Sequence, residues 1–454
     1  MRPPRARVLV AATTLGLVAL LAGVGLAAYT SPGGPRPGPT GGTGGASPIA
    51  VVPSVIVPAS ALPSAAPTAF ASAATASAAP TGAASSPSAS PWPLPSPSPS
   101  APAGIPVPDP AKFGFAAKGM LGEVMAFVTV PELAYARDTL DLSAVSTLAF
   151  FSLQAAADGH LQHDSRWEAW NGPVFAAVLA RAHAAGTRVV LSVSRFSWSP
   201  DETAATVTLL GSPARRARLA TEIAAEVVRR GVDGVNVDLE PVPVGQKAAF
   251  TSFVRQLRTA LDAAAPGLQL TVAITGYFSS YDVGRLTGPG AADAIYLMGY
   301  QYSGWWSKYA GSTSPMGGAR LNVVSTVAKL QAAGVKPNQL IVGVPYYGHL
   351  WPTRSAAAHA RTLGNGRDLS TSEALGILAR YGRRWDPVEQ SAWTTWKQGG
   401  TNYQLWVSDG PTLARQWGRF QTMGLLGTGI WSISKEGSPG SLNKALRVTW
   451  IAKP

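Results

Sequence analysis

Cysteine is absent from all 454 residues, so no disulfide, thiolate metal site or cysteine nucleophile can form. Exported proteins often use disulfides but do not require them. Charge is almost missing from residues 1–107, which hold no Lys, Asp or Glu and only four Arg. Ala, Pro, Ser and Gly dominate that stretch. Such a composition buries too little apolar surface to offset chain entropy. A packed fold is therefore expected from residues 111–454 alone, as one large domain, although the length would allow two or three. Acidic groups are also scarce. Lys and Arg total 37 against 24 Asp and Glu, a formal charge of +13, of which +9 remains after the four N-terminal Arg are set aside. A basic surface is drawn to anionic polymers such as wall teichoic acids or peptidoglycan carboxylates. Nucleic acid is not expected, because the basic residues are scattered and the chain carries an export signal. No phosphate-cradling glycine loop and no Ser-His-Asp arrangement can be read. His160-x-x-His163 has metal-ligand spacing without further ligands and reads as a solvated loop, so neither metal nor cofactor is expected.

What is present begins with Arg2, Arg5 and Arg7 ahead of an uncharged apolar run over residues 8–28. A basic start followed by an apolar core is an export signal. The run is also long enough to span a bilayer. Residues 1–30 are thus a signal peptide or an N-terminal membrane anchor, and cleavage near 25–28 and retention both stay open. The remainder would lie outside the cell or at its surface. Residues 31–110 form a Pro/Ser/Ala/Gly-rich linker. At about 3.1 Å per residue it reaches on the order of 250 Å when extended. It reads as a plain spacer with no binding role.

Past residue 112, short apolar runs alternate with amphipathic stretches. Strands are expected at 123–130, 147–153, 188–193, 234–240, 269–274, 294–300, 340–345 and 426–432. Ser212-Pro213 is an N-cap followed by proline at the first helical position, and Gly231 closes that helix after Arg229 and Arg230. Phe250, Phe253, Val254, Leu257 and Leu261 recur at helical spacing. Eight such units predict an α/β fold, a (β/α)₈ TIM barrel. The gap at 346–425, between strands 7 and 8, holds a helix near 370–383 and β-prone runs at 392–396 and 403–407. It predicts a small α+β insertion forming one wall of a cleft.

The strand at 234–240 carries the densest information. Asp233-Gly234-Val235-Asn236-Val237-Asp238-Leu239-Glu240 alternates faces, so Asn236, Asp238 and Glu240 share one side and the apolar residues the other. Two carboxyl groups two residues apart stand roughly 7 Å apart along a strand. At that spacing one ionised group raises the pKa of its neighbour. A protonated acid beside a carboxylate suits cleavage of a glycosidic bond.

The segment resembles the active-site strand of glycoside hydrolase family 18, the chitinase-like enzymes, whose pattern is DGxDxDxE. Asn236 occupies the middle acidic slot, which looks like the branch containing spore-germination and cell-wall enzymes. Other segments follow in the family's order. Tyr300 in Met298-Gly299-Tyr300-Gln301 resembles the M-x-Y-D segment, with Gln301 where the family has Asp. Gly343-Val344-Pro345-Tyr346-Tyr347-Gly348 resembles the G-x-P-x-Y-G run. Gly429-Ile430-Trp431 matches the tryptophan that floors the sugar site. Gln404-x-Trp406 with Asp409 resembles the spore-germination branch. Ser192-Val193-Ser194-Arg195 departs from S-x-G-G, and bulky Arg195 is expected to reshape the cleft floor.

The resemblance implies a secreted or membrane-tethered glycosidase, a chitinase or endo-β-N-acetylglucosaminidase. It would hydrolyse β-1,4 bonds of N-acetylglucosamine-containing polysaccharide, chitin-like or peptidoglycan, with retention and substrate assistance. Glu240 would be the acid, Asp238 would orient the acetamido group and Tyr300 would bond to it. Asp233, Asn236, Gln301, Trp431 and Tyr347 would bind substrate. A monomer is expected. The alternative is a lectin-like wall- or chitin-binding module on the same barrel. For Trp198, Trp305, Trp306 and Trp351 a sugar-stacking surface and ordinary loop aromatics both stay open.

Overall fold

The computed structural model describes residues 113–318, 321–437 and 440–452. The expected leader and linker, residues 1–110, lie outside these residues. Eight parallel strands close a barrel. They are β1 (Glu123–Thr129), β2 (Thr147–Gln154), β3 (Arg188–Phe196), β4 (Gly234–Glu240), β5 (Gln269–Thr275), β6 (Ala294–Met298), β7 (Leu340–Pro345) and β13 (Gly427–Trp431). Each pairs with its sequence neighbours, and β13 pairs with both β7 and β1. All eight expected strands are therefore present, with ends displaced by up to three residues. No described helix is long and apolar enough to cross a membrane.

The connecting helices form where the sequence supplies caps and an apolar stripe. Ser212 Oγ accepts from the Arg215 amide at the start of the helix Pro213–Arg230, and Gly231 closes it at φ +68°. The next helix, Lys247–Ala264, buries Phe250, Phe253, Val254, Leu257 and Leu261 against the sheet. Burying such side chains contributes roughly 1.5–3 kcal/mol each before chain entropy is counted.

The insertion is a second sheet with its own core. It contains β8 (Tyr347–Thr353), β9 (Arg367–Ser370), β10 (Arg384–Asp386), β11 (Ser391–Gln398) and β12 (Thr401–Val407), ordered β10-β11-β12-β8-β9. The helix Thr371–Tyr381 packs on this sheet, and Leu350, Leu369, Leu378 and Leu405 lie in its core. Only β11, β12 and the helix were expected. The strands β8, β9 and β10 are short or interrupted by Pro352 and by polar residues, so periodicity alone does not mark them.

Polar side chains tie down the lower rim, at the N-terminal ends of the strands. Asp233 Oδ2 accepts from the Val189 amide at 2.7 Å, and Asp293 Oδ2 accepts from the Leu270 amide at 2.8 Å. Each aspartate directly precedes its own strand and satisfies the start of the strand before it. Gly234 follows for a steric reason. A Cβ there would lie 2.2 Å from the Gln269 carbonyl oxygen. The D-G pair of the motif is thus a rim fastening.

Candidate active site

The upper ends of the strands enclose a cavity lined by Phe127, Phe151, Asp238, Glu240, Ala273, Tyr296, Met298, Tyr300, Gln301 and Trp431. The alternation of β4 decides which of its residues arrive there. Val235, Val237 and Leu239 are fully buried on the outer face. Asn236, Asp238 and Glu240 face inward, in register with Ser192, Ser194 and Phe196 of β3. Asp238 and Glu240 are only 4% and 3% exposed. Burial raises the pKa of both carboxyls, and for Glu240 the charge of Asp238 raises it further. Asp238 Oδ1 has no hydrogen-bond partner among the described residues. One strand thus brings to the cavity a carboxyl biased toward its protonated form, beside a second carboxyl with free acceptor capacity.

Aromatic side chains make the walls and floor. Trp431, at the end of β13, meets Phe151 edge-on at 4.8 Å and Phe127 at 5.6 Å between ring centroids. Tyr300 follows β6, and its hydroxyl pKa is pushed far up by burial and then by neighbouring tyrosines and carboxyls. It therefore stays a neutral donor. Gln301 beside it adopts φ 61°, and its backbone amide donates to Thr313 Oγ1 at 3.0 Å. Tyr296 crosses the barrel interior because two glycines make room. A Cβ at Gly343 would lie 2.4 Å from its hydroxyl oxygen, and one at Gly429 would lie 2.1 Å from its ring. Cis peptide bonds follow Phe151, Glu240 and Trp431.

A buried glutamate holds the floor in place. Glu132 Oε1 accepts from Ser432 Oγ at 2.7 Å, from the Ser434 amide at 3.1 Å and from Ser434 Oγ at 2.6 Å. Its Oε2 accepts from the Thr129 amide and hydroxyl, each at 2.9 Å. The carboxylate bridges the ends of β1 and β13. On the other side, the Tyr281 hydroxyl donates to the Leu239 carbonyl at 2.8 Å and steadies the end of β4.

The structure gathers Glu240, Asp238, Tyr300, Gln301 and Trp431, and separates three other expected residues from them. Asp233 is a correction: its carboxylate serves the lower rim, bonded to Val189 and 2.9 Å from His183 Nε2, so it faces away from the cavity. Asn236 lies one step below Asp238, fully buried, with Nδ2 donating to Thr271 Oγ1 at 2.8 Å. It supports the site without lining it. Tyr347 stands behind Tyr300, their rings edge-on at 6.3 Å.

Other expectations also change. Arg195 pairs in register with Leu239, so it points outward, where it donates to Thr206 Oγ1 at 3.0 Å and to the Ala155 carbonyl. It does not form the cleft floor; Ser194, in register with Asp238, faces inward and is bonded to Ser152 at 2.7 Å. Trp351 is neither a platform nor a loop residue. It is fully buried with Trp393, Trp406 and Ala310. Gln404 and Asp409 are internal to the insertion, bonding the Ala357 carbonyl and Arg383. His160 pairs with Glu222 at 2.9 Å and His163 stacks on Trp167. No group of three or more His, Asp and Glu among the described residues could hold a metal ion. The aromatic liners Phe127, Phe151 and Tyr296 were missed, although inward parity near strand ends marks all three.

Comparison with known proteins gives the chain a family. The chain is 27% identical over 251 residues to YdhD of Bacillus subtilis (strain 168), covering 51% of this chain and 54% of YdhD. It is 20% identical over 296 residues to a cortical fragment-lytic enzyme of Bacillus anthracis, covering 63% of this chain and 64% of that one. The chain thus spans little more than half of YdhD. The fold matches a GH18 chitinase from Cycas revoluta, solved in complex with (GlcNAc)3, with TM-score 0.64 and 19% identity over 72% of this chain and 99% of that one. The model of "Glycosyl hydrolases family 18" matches residues 124–436, which include every barrel strand from β2 to β13 and all but the first residue of β1. The chain therefore belongs to glycosyl hydrolase family 18.

Proposed function

We propose that the protein is a glycosidase that cleaves β-1,4 bonds following an N-acetylglucosamine-type sugar, in chitin-like or peptidoglycan polymers, with retention of configuration. The observation that carries this reading is the buried pair on β4, with the pKa of Glu240 raised by burial and by Asp238. Glu240, biased toward its protonated form, donates its proton to the leaving glycosidic oxygen. The acetamido oxygen of the substrate attacks the anomeric carbon. Asp238 orients the acetamide and stabilises the cyclic cation, Tyr300 donates a hydrogen bond to it, and Trp431 supports the ring. Glu240, now a base, activates the water that opens the intermediate. Substrate assistance is a recognised exception to the two-carboxylate scheme. A purely lectin-like role would need no such acid.

The test is product analysis on N-acetylated oligosaccharides by proton NMR. The first-formed anomer should be β, and plain β-1,4-glucan oligomers of equal length should stay intact. Rapid cleavage of the glucan would refute substrate assistance. Export is part of the same proposal, supported by Arg2, Arg5, Arg7 and the apolar run that follows. Cell fractionation with N-terminal sequencing should find the barrel outside the cytoplasm, either cleaved near residue 28 or still bearing the run.

A further inference from the structure

Residues 294–367 contain seven Lys and Arg and no Asp or Glu. This stretch starts with β6, lines the cavity at Tyr300 and Gln301, and returns through β7 and β8 into the insertion. Two of its loops meet the end of β8 in a small ribbon. Tyr309 pairs antiparallel with Arg361, and Thr353 with Thr362. The Thr362 amide donates to the Lys308 carbonyl at 3.0 Å, the Ala310 amide to the Ala360 carbonyl at 3.0 Å, and the Arg354 amide to the Arg361 carbonyl at 2.9 Å. Residues directly opposite share a face, so Tyr309, Arg361 and Arg354 form one row across the ribbon, with about 5 Å between strands. All three are exposed. The other face is sealed, since Ala310 is buried with Trp351, Trp393 and Trp406.

Two arginines directly opposite one another on neighbouring strands repel. Among the described residues neither guanidinium has a hydrogen bond or an ion pair. Asp386 and Glu389 reach the flanks of the ribbon but are engaged there, Asp386 with His359 at 2.9 Å and Glu389 with the Ser312 amide at 2.7 Å. A like-charge pair held in register on a buried aromatic base suits an anion that accepts from both guanidiniums. Exposed Trp306 and Tyr309 set amphipathic rings in the same loop. Charge and rings together call for an anion carried on a sugar. The segment that bears the row also lines the cavity, so one polymer strand can meet both. Of the two polymers that the glycosidase reading allows, peptidoglycan carries carboxylates and chitin is neutral. Resting on that reading, we propose that the ribbon is a docking surface for a glycan with pendant carboxylates. Arg354 and Arg361 hold a carboxylate, and Tyr309 lies against an adjoining sugar.

The experiment measures binding by calorimetry with the full chain carrying Glu240→Gln, and turnover with the wild type. The probes are a peptide-bearing peptidoglycan fragment, the same fragment with its carboxylates converted to amides, and a neutral N-acetylated chitooligosaccharide. The carboxylate form should bind roughly five- to tenfold more tightly than the amidated form at low salt, and the gap should close at high salt. Arg354→Gln combined with Arg361→Gln should close the gap at low salt, without lowering the melting temperature, because a repulsion is removed. Tyr309→Ala should weaken both forms alike. Equal binding of the two forms, or a gap that survives the double substitution, overturns the proposal. Equally tight, arginine-dependent binding of a poly(glycerol phosphate) chain also overturns it. Cleavage of the neutral oligomer with no effect of charge on the larger probes keeps the glycosidase reading and removes the docking surface. Charge-dependent binding with no cleavage of any probe keeps the surface and removes the glycosidase reading.

Discussion

Asp233 and Asp238 stand five residues apart in one motif, at opposite ends of β4, and their surroundings differ. Asp233 accepts from a backbone amide and faces a histidine at the rim. Asp238 is enclosed, and one of its oxygens has no partner among the described residues. A satisfied carboxylate is a fastening; an enclosed, under-bonded one has its ionisation shifted and is available to a ligand. The upper end of the barrel stores reactivity, and the lower end stores stability. Glu123 blurs that division. It is a fully buried carboxyl at the start of β1, pushed up to about 7 by burial, against the opposing effects of Thr147, Ser146, Arg188 and Lys118.

Substitutions at the two ends should separate activity from stability. Glu240→Gln should lower kcat/KM by a hundredfold or more, with a melting temperature no lower than wild type. Matching rates for variant and wild type would break the comparison at its upper end. Glu123→Gln sharpens the lower end. The folded pKa of Glu123 lies above its unfolded value of about 4.3. Its contribution to stability is therefore fully present below pH 4 and is lost as pH rises through about 7, by on the order of 3 kcal/mol. The variant should show a correspondingly flatter fall in denaturant-derived stability between pH 4 and 7 (an unchanged slope would place the titration elsewhere). Asp233→Ala leaves the Val189 amide without its acceptor and should cost about 1–3 kcal/mol in chemical denaturation, while activity per folded molecule is kept. The smallest effect is expected from Gln301→Asp. Aspartate tolerates the positive φ at this position. A new carboxylate near Glu240 should raise the pKa of the acid, shifting the alkaline limb of kcat/KM upward by up to about one pH unit. Superimposable limbs would mean that burial and Asp238, and not a charge at position 301, set that limb.

Much of the barrel was legible because its strands are nearly all apolar and the motif segments end at the same rim. Chemistry along β4 was legible because a strand's side chains alternate strictly. The direction of Arg195 was not, since the bulge in β2–β3 pairing and the register with Leu239 are tertiary facts. Asp233 was misplaced because a motif written as a line hides that its first residue and its last lie at opposite ends of a strand. Trp351 was misread because tryptophan in a loop-like stretch has the same spelling on a surface and in a core. The glycines at 343 and 429 make sense only once Tyr296 is seen crossing between them. Glu132 and Ser432 are 300 residues apart, beyond the reach of any local pattern.

That last distance bears on timing. The proposed acid Glu240 arrives with the fourth strand of the barrel, but Trp431, the proposed support for the sugar, arrives with the eighth, and the carboxylate that fastens its turn comes from the end of the first. A chain delivered from its N-terminus has its proton donor in hand long before it has a place to hold a sugar. A fragment ending before Trp431 would retain Glu240 and lack the floor, so the barrel cannot complete its cavity until β13 has emerged and closed upon β1.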